Sequence, residues 1–203
     1  MEKTKNYNIF VFSFVTLTII SYFFGFTINE NSAGGGEVDF KNTWRNLQTF
    51  KNYDLLNALK QTAVLDIEIF RSSRIPGVYV FHKFFNPFFQ NKEEFRLSVF
   101  LFSILIPISF YFALRLRFKE TDRLSLLLIS SLIFLSPYFR TSAIWGNEEN
   151  FGLLSLILSY VFFKLFFGEK KKLKKFLYLN LLIFISAICV YFDQKLVFIP
   201  ALC

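Results

Sequence analysis

Five long apolar runs, each bounded by charged or turn-forming residues, set the plan of the chain. Residues 8–28 carry no charge, and about 20 helical residues suffice to cross a bilayer core. Residues 97–114 form a second run with Pro107 inside it, which a membrane helix tolerates as a kink. Residues 124–139 are a shorter third run, and a polar break, RTSAIWGNEEN, follows. Residues 151–167 end at Gly168 and the basic run EKKKLKK, and residues 176–192 end at Asp193-Gln194-Lys195. A sixth run begins at about residue 196 and stops at Cys203, after only about two helical turns. The pattern therefore predicts an all-α membrane protein with a single transmembrane domain, and reads as a piece of a longer chain cut inside a sixth helix. A signal peptide is the rival reading of residues 8–28, with Ser32-Ala33-Gly34 as its cleavage site; its apolar core is normally shorter.

Between the first two runs lies a long polar and aromatic segment, residues 29–95. Trp44, Leu47, Phe50, Leu55 and Leu59 recur near helical spacing and predict an amphipathic helix. Pro76-Gly77 breaks the chain before VYVFHKFFNPFF, which reads as a second helix lying at the membrane interface with its aromatics in the headgroup zone. Residues 29–95 are thus expected to be an outer loop carrying interfacial helices.

Composition agrees with this plan. Of 203 residues, 54% are hydrophobic and 31 are Phe; mean hydropathy is +0.42. The net charge of +8 does not point to nucleic acid, because its basic residues fall in short clusters between apolar runs. Lys3 and Lys5, then Arg115, Arg117, Lys119 and Arg123, then residues 170–175 share one side of a five-span chain. The excess of Lys and Arg predicts that this side, with the N-terminus, is cytoplasmic. A bacterial inner membrane is the expected location. Two cysteines, Cys189 and Cys203, imply neither a disulfide framework nor a zinc site, and one histidine, His82, excludes a multi-histidine metal centre.

The far side then receives residues 29–95, the break after residue 139 and the turn after residue 192. Polar groups from three separate segments converge there, as a site at the membrane surface requires. The segment GGGEVDFKNTW brings Glu37 and Asp39 to the membrane edge, where an unpaired buried charge is costly. Ordinary solvated acids in a loop are the plainer reading.

These segments, in order, resemble the GT-C glycosyltransferases that use polyprenyl-phosphate sugars, the superfamily of protein O-mannosyltransferases and lipid A aminoarabinose transferase. The resemblance rests on GGGEVDFKNTWRNLQTF for the acid-bearing first outer loop and RIPGVYVFHKFFNPF for a proline motif followed by aromatics. It continues through EEFRLSVFLFSILI with Arg96, SPYFRTSAIWGNEENFGLLSLILSY after the third run, and YFDQKLVFIP after the fifth. It departs from the family where Val38 separates the two acids and where Arg74 stands in a slot often held by an acid or histidine.

The resemblance implies a GT-C-like multi-span bundle and an inverting transfer of a hexose or related sugar to a lipid, glycan or protein hydroxyl. Membrane lipids surround it, and no nucleic acid is involved. Such a displacement needs a base for the acceptor proton, with Asp39 the first choice and Glu37 the second. Departing phosphate needs cations, and Arg74, Arg96, Arg140 and Lys195 are the candidates; snorkelling, or an ion pair between Lys195 and Asp193, is the alternative. Asn147, Glu148, Glu149, Tyr79 and Gln194 are candidates for sugar or acceptor binding, helix capping being the alternative for residues 147–149 and the aromatic belt for Tyr79, Trp44 and Trp145. Asp39 and Glu37 would share any divalent cation, Mg or Mn. His82 reads as an interfacial residue. A transporter or flippase, and a structural subunit of a membrane complex, are the competing functions.

Overall fold

The structure, a computed structural model, describes residues 2–70 and 76–202, and among them every regular element is helical. Helix α1 (Glu2–Thr27) is followed by three shorter helices, α2 (Gly36–Asn52), α3 (Leu55–Phe70) and α4 (Gly77–Phe85). Then come α5 (Lys92–Ser103), α6 (Leu105–Arg117), α7 (Arg123–Ser131), α8 (Pro137–Trp145), α9 (Glu149–Gly168), α10 (Lys172–Phe192) and the short α11 (Ile199–Leu202).

Four helical stretches are long and apolar enough to cross a membrane: residues 6–27, 92–117, 149–168 and 172–192. The second is α5 and α6 in line. Their junction falls where Pro107 offers no N–H to the carbonyl of Ser103. Large apolar side chains such as Phe10, Leu17 and Phe24 on α1, and Phe176, Ile183 and Phe184 on α10, are exposed. An exposed apolar surface of this extent is what a lipid-facing protein presents. The chain is therefore an all-α membrane protein.

The third apolar run departs from the predicted span over residues 124–139. Helix α7 passes through a 3₁₀ turn at Leu132–Leu135 and bends by 62° into α8. Ser136 precedes a proline, which drives it to an extended conformation (φ −67°, ψ 121°). Pro137 then opens α8 at the position where its missing N–H costs least. Most of the segment expected to be a polar break, residues 140–150, is in consequence a buried helix: residues 139–145 are all buried. The single amphipathic helix expected across residues 44–59 is likewise two, divided at Tyr53-Asp54, where the Asp54 carboxylate accepts from Asn57 N at 3.2 Å.

Hydrogen bonds fix the directions. Tyr7 Oη lies 2.7 Å from Ser125 Oγ at one end of the bundle, and Arg140 reaches Ser21 O at 2.9 Å toward the other, so α1 and α7–α8 run the same way. Tyr22 Oη donates to Phe100 O at 2.8 Å, and Arg96 to Asn29 Oδ1 at 2.6 Å, so α5–α6 runs back. Ser186 and Ser159 Oγ atoms meet at 3.2 Å within the α9–α10 hairpin. One end of the bundle thus gathers Arg115, Arg117, Lys119, Arg123 and the 170–175 basic run. The opposite end gathers residues 28–36, the α8–α9 junction and the end of α10.

The core is aromatic. Tyr22 stacks on Phe100 and Phe139 with ring centroids 4.3 and 5.5 Å away; each such pair adds about 0.5–1.5 kcal/mol beyond area burial. Tyr22 is fully buried, which makes α1 a packed member of the bundle.

Candidate functional site

Asp39 owes its position to three glycines. Gly34 and Gly35 turn through left-handed backbone (φ 74° and 73°), a region open to glycine at little cost. Gly36 starts α2 against α8, where an added Cβ would come within 2.7 Å of Trp145 Cδ1. Asn31 Oδ1 accepts from Gly36 N at 3.1 Å and closes the turn. Asp39 then falls in the first turn of α2, where the helix dipole favours a carboxylate, with Thr43 one turn further on. Two helical positions span about 200° around the axis, so Glu37 faces the other way. It is exposed and pairs with Lys41 Nζ at 3.0 Å. That hydrogen bond, and then the lysine charge, hold its carboxyl below the usual range.

The second wall is the α8–α9 junction. Gly146 (φ 69°) ends α8, and Asn147 N donates to Ser142 O at 2.9 Å. Asn147 is 5% exposed, and its Oδ1 has no hydrogen-bond partner. Glu149 Oε2 accepts from Ser142 Oγ at 3.0 Å. The third wall is the end of α10, where Asp193 Oδ1 accepts from Lys195 N at 3.0 Å. Gly152 lets this elbow lie against α9: a Cβ there would stand 2.6 Å from Asp193 Cβ.

Together these walls enclose a polar cleft of about 210 Å³ lined by Asp39 and Thr43, by Asn147, Glu148 and Glu149, and by residues 192–195. A second, largely apolar groove of about 370 Å³ adjoins it, with Phe139, Leu153, Leu156 and Leu196 among its lining residues. Asp39, Asn147, Glu149 and Asp193 border both. A polar chamber and an oily one therefore share a single wall.

Of the residues singled out from sequence, Asp39, Asn147, Glu148, Glu149, Gln194 and Lys195 meet at this cleft. Others do not. Arg96 is buried among Phe26, Phe40 and Trp145, its guanidinium 4.6 Å from the Trp145 ring. It donates to Ile144 O, Asn29 Oδ1 and Glu93 Oε2 at 3.1, 2.6 and 3.0 Å. Arg140 pairs with Glu30 and donates to Phe134 O at 3.0 Å, a carbonyl next to the α7–α8 bend. Both arginines are occupied within the protein. Tyr79 is buried, and its Oη accepts from Asn46 at 3.2 Å. Arg74 lies outside the described residues.

His82 is a core residue and not an interfacial one, 1% exposed and set edge-on to Phe95 and Phe151. Asn86 Nδ2 donates to its Nδ1 at 3.0 Å, which leaves the ring proton on Nε2. Burial lowers its pKa to about 3. Asp193, Thr43 and Phe192 line the cleft without having been singled out as site residues. Asp193 stood in the sequence only as a partner for Lys195, although its place directly after an apolar run marked it as a helix-end acid.

A shared ion between Asp39 and Glu37 does not fit the divergence of the two side chains. Among the described residues, no three acidic, histidine or cysteine groups stand close enough to hold a metal ion. Comparison with known protein families, curated proteins and solved structures gives no match to this chain.

Proposed function

We propose that the chain carries the membrane domain of a GT-C-type glycosyltransferase, moving a hexose or related sugar from a polyprenyl phosphate to an acceptor hydroxyl. The observation that carries this reading is the shared wall. A lipid-linked sugar has a polar head and a long apolar tail, and the molecule offers a polar cleft and an apolar groove that meet at Asp39, Asn147, Glu149 and Asp193. By the positive-inside rule the basic end of the bundle is cytoplasmic, and the cleft opens on the other face of the membrane.

In this reaction the acceptor oxygen attacks the anomeric carbon as the bond from that carbon to the phosphate oxygen breaks. The proton passes to the Asp39 carboxylate, and the polyprenyl phosphate leaves with the bonding electrons. Lys195, the cation among the lining residues, offsets charge gathering on the leaving phosphate. The apolar groove holds the first isoprene units.

Replacing Asp39 by Asn keeps the shape and removes the base. Transfer from a radiolabelled polyprenyl-phosphate hexose should fall by about 10²- to 10⁴-fold, the usual worth of a positioned base, with thermal unfolding unchanged. Full transfer by the Asp39→Asn protein would remove Asp39 from this role. The broken α7–α8 helix is the feature that favours a transporter, since transporters bind substrate at discontinuous helices. Here, however, Arg140 bonds Phe134 O beside the break. A transporter would retain solute uptake in liposomes after the same substitution.

A further inference from the structure

We propose that a groove at the basic end of the bundle binds one anionic phospholipid, its acyl chain between α6 and α9 and its phosphate on Arg117. This groove lies toward the opposite end from the cleft, and the proposal stands whether or not the chain is a transferase.

The groove has a volume of about 350 Å³, with Phe110, Ala113, Leu114 and Arg117 of α6 on one side and Ile157 and Tyr160 of α9 on the other. Spacings of three and four place each set on a single helix face. Ala113 has no side chain beyond Cβ and leaves the floor low between its larger neighbours. Both walls belong to membrane-spanning stretches, residues 92–117 and 149–168, so hydrocarbon is the medium that fills the space between them.

Charge selects which lipid. The Arg117 side chain is exposed at the mouth, its guanidinium 5.7 Å from the ring of Phe118, which also lines the groove. Lys164 stands one turn beyond Tyr160 on α9. Residues 115–123 and 169–175 hold nine bases against three acids. Two of those acids are turned to backbone amides: Asp122 Oδ2 accepts from Ser125 N at 3.0 Å, and Glu169 Oε1 from Lys170 N and Lys171 N at 2.9 Å. Among the described residues none of the nine bases pairs with a carboxylate. By the positive-inside rule this end is cytoplasmic, where anionic headgroups gather and basic pockets between helices hold them. A second copy docked here by two-fold symmetry would set the same bases against each other. Leu156 borders both this groove and the apolar one beside the cleft, so a long neutral tail is the rival occupant; it brings no charge to Arg117.

The test uses the full chain in phosphatidylcholine nanodiscs, with phosphatidylglycerol of the same acyl chains as the probe, one batch carrying a diazirine at the acyl terminus. Photolysis should label residues 110–118 and 156–160 above the exposed faces of α1 and α10, and native mass spectrometry should show one phosphatidylglycerol retained per chain. Arg117→Gln, at an exposed position, should lower the preference for phosphatidylglycerol over phosphatidylcholine about tenfold, the scale of one charge-assisted hydrogen bond. Leu114→Trp fills the groove, keeps every charge and should release the lipid as well. Its folding is checked by the thermal midpoint in phosphatidylcholine alone, and the photolabel needs no substitution. An unchanged preference in folded Leu114→Trp would reduce the effect to diffuse attraction and overturn the proposal. An unchanged preference in Arg117→Gln would leave an uncharged tail as the occupant and overturn it too, as would even labelling of α1 and α10 or a dimer that retains no lipid.

Discussion

Arg140 shows how a charged side chain near a membrane can serve the fold alone. Its guanidinium joins Glu30 from the loop after α1 to the bend before α8. Removing one member of a buried pair strands the other, at a cost of about 3–5 kcal/mol. Arg140→Gln should therefore lower the thermal midpoint of the purified protein sharply, and the Arg140→Gln, Glu30→Gln double variant should recover part of it. Sequence could not reveal this, since the partner lies 110 residues away and an arginine at a helix end looks the same whether it holds a phosphate or a loop. His82 was equally opaque, because its burial depends on α4 packing against α5 and α9. Its folded pKa of about 3 lies below the ordinary 6.5, so the unfolded chain binds a proton first. Stability from this group is complete above pH 6.5 and declines as pH falls toward 3. Glu30, held below its usual range chiefly by the Arg140 hydrogen bond, adds a further loss in the acid limb. Unfolding midpoints measured from pH 7 to pH 4 should drop, and His82→Gln should flatten the first part of that slope.

Among the elements, the long spans were legible because charge-free runs of about 20 residues admit few other folds in water or lipid. The bend was not read, although its signs were present. A serine followed by proline marks a helix start as well as a helix end, and Ser136 does both: it ends the 3₁₀ turn and offers its Oγ to Phe139 N. The turn after α10 depends on Gly152 in the facing helix. A larger side chain there must push Asp193 out of the cleft wall. Gly152→Val should cost about 1–3 kcal/mol, as overpacking does, read by the unfolding midpoint, and under the proposed transferase function it should also lower the transfer rate. No periodicity argument exposes such a contact, since glycine carries no pattern of its own.

Across the whole molecule, charge and topology are separated end to end. Single-cysteine probes on a background lacking Cys189 and Cys203 test this directly. A membrane-impermeant maleimide should label Val38→Cys, 61% exposed, and Gln194→Cys from the same side, and Lys119→Cys from the other. Labelling of positions 38 and 194 from opposite sides would overturn the arrangement. The gathering of three distant segments at one end was legible from span count and basic clusters. Which members of those segments face inward was not, because α2 begins at Gly36 and its turn sends Asp39 and Glu37 apart. The wall common to cleft and groove has an evolutionary corollary. A substitution at Asn147 or Asp193 alters the polar cleft and the apolar groove at once, so what the two admit cannot drift independently. Under the proposed transferase function, variants at these positions that accept a new sugar should also change the lipid chain length they tolerate.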